Sequence, residues 1–120
     1  MGGARVSKVP GYNCEPDGNG KCTVQLAIPV SQQIDNYLAS NGGQFRDDQL
    51  VFVQAGPNDI FYHLDLVAAG GEDPGVALIE VRQAAVDLAA EVQRIASKGG
   101  KRIVLLNVPP MADTPFGKSL

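Results

Sequence analysis

The feature that most constrains this chain is an ordered triplet: an apolar β-type run, a long amphipathic stretch, and a second apolar β-type run. Leu50-Val51-Phe52-Val53-Gln54-Ala55 stops at Gly56-Pro57, and Arg102-Ile103-Val104-Leu105-Leu106-Asn107-Val108 stops at Pro109-Pro110. Runs that are apolar on consecutive residues, instead of alternating, read as strands buried on both faces. Between them, Asp73-Pro74 offers an N-cap and a first-turn proline for a helix reaching about Lys98, and Gly99-Gly100 ends it. Leu78, Val81, Ala85, Leu88, Val92 and Ile95 recur at steps of three and four and form the predicted apolar stripe of that helix. Glu80, Arg82, Asp87, Glu91 and Arg94 fall mostly off it. Strand, helix, strand in this order predicts parallel pairing with a right-handed crossover, and so an α/β layered fold.

A further helix is expected from Pro29 to Ser40, with proline in its first turn, Ile34 and Leu38 on one face and Gly42 just past its end. Two strands cannot cover this much helix surface, so at least one more strand belongs on the sheet. Residues around Ala4 to Val9 are the candidate within the chain. The 120 residues fit one domain, residues 1–120, large enough to bury a core. No apolar run approaches the ~20 residues of a membrane-spanning helix. A net charge of −3 with ten scattered basic residues does not make a phosphate-tracking surface, so nucleic acid is not an expected partner.

Met1 leads into Gly2-Gly3-Ala4-Arg5-Val6 with no basic leader and no apolar stretch behind it. No secretory signal is read there, and a chain made as written is expected to stay in the cytoplasm. At the other end, Thr114-Pro115-Phe116-Gly117-Lys118-Ser119-Leu120 stops after a turn-like proline and glycine. Both ends read as cuts through a larger domain. Cys14 and Cys22 flank a segment built almost wholly of turn formers. They form either a local disulfide, which would imply an oxidising compartment, or two free thiols.

In open parallel sheets, ligands bind beyond the carboxyl ends of the strands. Two loops leave that edge: Gly56-Pro57-Asn58-Asp59 and Asn107-Val108-Pro109-Pro110. Gly56 permits a sharp turn, Pro57 stiffens it, and Asn58 then presents an amide able to donate to a developing oxyanion. Asp59 could hold the turn by accepting backbone N–H groups, or cap a short helical segment, Ile60 to Leu66. A plain turn is the competing reading, since these four residue types are the commonest turn formers.

The stretch Leu50 to Phe61 resembles the third sequence block of the GDSL-type (SGNH) esterases and lipases, in which a buried strand runs into Gly-x-Asn-Asp. Gly2-Gly3-Ala4-Arg5-Val6 resembles their second block. Lys101 to Gly117 is similar to the strand and loop that follow their long helix. The three matches come in the family's order and span nearly the whole chain. The resemblance implies a three-layer α/β/α fold with a parallel, flavodoxin-like sheet, present here incompletely. It implies carboxylic-ester hydrolysis through a serine acyl-enzyme, with an ester or lipid substrate and no metal or organic cofactor. It makes Asn58 and Gly3 (Gly2 as the alternative) oxyanion-hole donors, and brings Gly56 and Asp59 to the substrate side of the site. Pro57 stands where a smaller residue is usual. The parent protein is expected to be exported or outer-membrane associated, as members of the family often are.

The family's Gly-Asp-Ser nucleophile and Asp-x-x-His blocks are absent from the sequence. None of Ser7, Ser31, Ser40, Ser97 and Ser119 follows Gly-Asp or sits in a nucleophile elbow. His63, the single histidine, is expected to be a surface or partly buried helix residue. The chain is therefore expected to carry the oxyanion donors without the attacking group and to be inactive alone, with self-association through an exposed sheet edge. The alternative is a small non-catalytic α/β module that binds a ligand or partner at the same loops. Two further patterns carry less. Ala112 to Ser119 fits a relaxed phosphate-loop pattern but has no helix after its lysine and serine. Asp59 and His63, four residues apart with Asp65 nearby, could share a helical face as metal ligands, but a solvated face is expected there and no metal site.

Overall fold

Leu50–Val53 (β1) and Arg102–Leu105 (β2) pair in parallel, with Phe52 opposite Val104 and Val51 opposite Ile103. This is the βαβ unit expected from the order of the segments, seen in a computed structural model that describes residues 3–12, 18–19 and 27–119. Gly2, Cys14 and Cys22 lie outside the described residues. Three helices complete the architecture: α1 (Val30–Ser40), α2 (Pro57–Ala68) and α3 (Pro74–Ser97). The result is a small α/β fold whose described sheet has two strands.

The crossover helix α3 begins as its sequence requires. The Asp73 side chain accepts from the N–H groups of Gly75 (2.8 Å) and Val76 (3.3 Å), and Pro74 fills the first turn. It ends at Gly99, whose φ of +101° and close approach to the Phe45 carbonyl exclude a side chain. Its buried line is Ala77, Ala84 and Ile95, with Val81 and Leu88 half-buried between them. Leu78, expected on that line, is 52 % exposed, and Ala85 is exposed as well. The expected stripe thus holds at Val81, Leu88, Val92 and Ile95, while Ala77 and Ala84 take the inward places expected of Leu78 and Ala85, their small side chains letting the helix approach its neighbours closely. Ala84 packs with Val6 and Ala55.

Helix α1 has no side-chain cap. Its first amides are satisfied from a remote segment: Val30 N–H donates to the Arg5 carbonyl and Ser31 N–H to the Val6 carbonyl, both at 3.0 Å. Residues 4–6 therefore do not supply the third strand that the sequence suggested. Their carbonyls go to a helix end, and this buried segment runs beside the sheet without joining it.

Ile34, Phe45, Val53 and Ile95 form the main core, with Tyr37, Leu88 and Ile103 packed around them and the Tyr37 and Phe45 rings stacked at 4.6 Å. Each such buried aliphatic side chain contributes about 1.5–3 kcal/mol. Arg94 on α3 pairs with Asp35 on α1 and donates to the Ser31 carbonyl at 2.9 Å, so the two helices are also tied across their polar rim. Both lie over the same face of the sheet. The opposite face, with Leu50, Phe52 (64 % exposed), Val104 and Leu106, is uncovered among the described residues. No helix is long and apolar enough to cross a membrane among the described residues.

The Ser7 hydroxyl donates to Asp87 and fastens the N-terminal segment to α3. That bond holds the Asp87 carboxyl below the usual carboxylate range against the opposing effect of burial, with Gln83 and Lys8 adding to it. A carboxyl whose folded pKa is depressed stabilises the fold above its unfolded pKa of about 4 and loses that contribution as pH falls through the folded value. Ser7→Ala is therefore expected to lower Tm by a few degrees at pH 7. The gap to the parent chain should close when thermal unfolding is followed down to about pH 3.

Candidate functional site

The Gly-x-Asn-Asp tetrapeptide is not a loop standing before a helix. Gly56, at φ +105°, is the N-cap of α2, Pro57 is its first residue, and Asn58 and Asp59 complete the first turn. The helix thus starts three residues earlier than Ile60, because Gly56 can adopt the φ that lets the chain leave β1 and turn at once. A side chain at 56 would press on Val108 at 3.3 Å, so the exits of β1 and β2 meet at one edge of the sheet.

Asn58 and Asp59 both reach across to residues 4–6. Asn58 Nδ2 donates to the Ala4 carbonyl at 2.8 Å. Asp59 Oδ2 accepts from the Val6 N–H at 3.0 Å, and Oδ1 from Arg5 Nε at 3.2 Å. Asp59 is 1 % exposed and Arg5 5 %, so this is a buried ion pair whose remaining lone pairs and protons must also find partners. They do. Arg5 lies 4.1 Å over the Tyr62 ring and its terminal nitrogen is 3.2 Å from His63 Nε2, while His63 Nδ1 is 2.8 Å from Glu72 Oε2.

His63 is therefore buried, at 4 % exposure, and not the surface or partly buried residue expected. With both ring nitrogens engaged, it is not paired with a serine. Asp59 and His63 do share a helical face, but the group between them is a guanidinium. No set of three His, Cys, Asp or Glu residues among those described is arranged to hold a metal. The segment from Met111 to Ser119 forms two short 3-10 turns, Met111–Asp113 and Gly117–Ser119.

Gly3 and Asn58 line one cleft of about 590 Å³ that runs along β1 between Ala4 and α1, with Val30, Ile34 and Phe45 on its floor. Gly3 has φ +82°, and a Cβ there would lie 2.3 Å from the Tyr12 carbonyl, so the position admits no side chain. Its own carbonyl accepts from Tyr12 N–H at 2.8 Å. Tyr12 stacks on Phe61, and burial, with Asp65 behind it, raises the Tyr12 pKa. Gly56 and Asp59, expected beside substrate, do not line the cleft. Gly56 serves the turn, and the Asp59 carboxylate faces inward because two donors from the 4–6 segment hold it there.

Arg5, Tyr62 and Glu72 were not singled out from the sequence as contributors to this site. The signal that could have found Arg5 is a lone cation inside Gly-Gly-Ala-x-Val, where burial demands an acidic partner elsewhere in the chain. Against known proteins, no family model matches the chain, and no curated protein or solved structure matches it significantly.

Truncating Asp59 would leave Arg5 buried without its counter-charge and the Val6 N–H without an acceptor. Asp59→Ala is expected to lower the unfolding free energy by about 3–5 kcal/mol, read from urea titration followed by circular dichroism.

Proposed function

We propose that this chain is the oxyanion-binding part of a GDSL-type ester hydrolase. The single observation that supports the reading is that Gly3 and Asn58 line one cleft, with Asn58 in the first turn of α2 just after β1. An ester carbonyl attacked by a nucleophile develops negative charge on its oxygen. A carboxamide, a glycine N–H and the positive end of a helix dipole are the groups that stabilise such charge. Asn58 spends one N–H on the Ala4 carbonyl, which fixes the side chain, and its amide retains a second donor for the oxyanion. In this reading each donor lowers the barrier by roughly 3 kcal/mol.

The attacking serine and its Asp/His partners come from sequence outside these 120 residues, since no Gly-Asp-Ser or Asp-x-x-His is present. The same reading accounts for the bare face of the sheet. Further strands beside β1 and a second helical layer over Phe52 and Val104 would complete a three-layer α/β/α domain. Without them, the exposed apolar face favours self-association of the isolated chain. That face also counts against a free-standing binding module, which would be monomeric and well covered.

The purified chain is expected to hydrolyse p-nitrophenyl butyrate no faster than buffer does. A reading frame extended to include an upstream Gly-Asp-Ser and a downstream Asp-x-x-His should be active, and Asn58→Ala should cut its kcat by about 10²–10³-fold. Turnover by the 120-residue chain that Asn58→Ala abolishes, or an extended frame lacking those two blocks, would overturn the proposal.

A further inference from the structure

We propose that Glu72, His63 and Arg5 form a positioning relay for Asn58, and so, resting on the reading above, for the oxyanion site. The direction of the relay follows from donor chemistry. A guanidinium only donates, so His63 Nε2, 3.2 Å from an Arg5 terminal nitrogen, is the acceptor and carries no proton. The ring proton is therefore on Nδ1 and donates to Glu72 Oε2 at 2.8 Å. Glu72 thus selects one tautomer of a buried histidine, as the partner of the second ring nitrogen generally does. That tautomer is the one that can accept from Arg5.

Arg5 is then held on three sides: by His63, by the Tyr62 ring 4.1 Å beneath it, and by Asp59 Oδ1. Asp59 is adjacent to Asn58 in the first turn of α2, and its second oxygen holds the Val6 N–H while Asn58 holds the Ala4 carbonyl. The three bonds register the tripeptide 4–6, which follows Gly3, against the turn that carries Asn58. Glu72 lies in the connection between α2 and α3 and does not line the cleft, so its influence passes entirely through these intermediates. In a buried network of this kind, the loss of one partner is felt along the chain of hydrogen bonds.

His63 is the only histidine, so its ring can be read without ambiguity in long-range ¹H–¹⁵N spectra of the labelled 120-residue chain at neutral pH. The expected pattern is a protonated Nδ1 with a bare Nε2. In Glu72→Ala, that single-tautomer pattern should be lost, and the Asn58 side-chain amide should exchange with water about tenfold faster, as loss of one hydrogen bond gives. Glu72→Gln, whose carbonyl oxygen still accepts from Nδ1–H, should restore both signals. A proton on Nε2 in the parent chain, or an Asn58 amide unchanged in Glu72→Ala, overturns the relay. Should Glu72→Ala fail to fold, the parent tautomer and the Glu72→Gln spectrum decide alone. An inactive extended frame beside the expected spectra would remove the hydrolase reading and leave the relay standing.

Discussion

The Asp59 carboxylate is the constraint on which the rest of the structure depends. A buried anion is tolerated only where its oxygens are matched by donors, and here a single dipeptide, Arg5-Val6, supplies them from more than fifty residues away. Meeting that demand draws the N-terminal segment onto the first turn of α2. The same segment then turns its carbonyls to the bare amides at the start of α1. One buried charge thus connects the beginning of the chain, a helix end and the carboxyl edge of the sheet. Val6, fully buried against Ala55 and Ala84, adds the apolar half of the joint.

The two sides of the sheet have different fates. Toward α1 and α3, Val51, Val53 and Ile103 meet Ile34, Leu88 and Ile95 and make a core. Toward the other side, Phe52 and Val104 stand paired and uncovered among the described residues. Strands whose consecutive residues are all apolar are built for burial on both faces. The cleft runs beside β1. Gly3 and Asn58 are both among its lining residues, and the exits of the two strands meet at Gly56 and Val108.

Much of the local structure was legible from neighbouring residues. Asp73-Pro74 caps α3 as read, because an N-cap contact spans only two or three residues. Gly99 ends the same helix, because a positive φ is needed there and the Phe45 carbonyl leaves no room for a side chain. The α3 stripe holds from Val81 through Leu88 and Val92 to Ile95, but Leu78 and Ala85 yield to Ala77 and Ala84, which close packing selects. Asn58 lines the cleft beside β1, and its position just after a buried strand was legible. The inward turn of Asp59 and the burial of His63 were not, since both are set by Arg5, and nothing near position 59 in the chain announces a cation arriving from position 5.

The sequence by itself determined the βαβ order, both ends of α3 and the parallel pairing, all of which follow from short-range chemistry and from the period of apolar residues. Only the tertiary structure decided which polar groups meet. Residues 4–6 became a clamp and not a strand, Asp59 an internal acceptor, and His63 a strut between Arg5 and Glu72. The physical reason is that a hydrogen bond between distant residues leaves no periodic trace in the chain. It is selected only when folding removes water from both partners and each must satisfy the other.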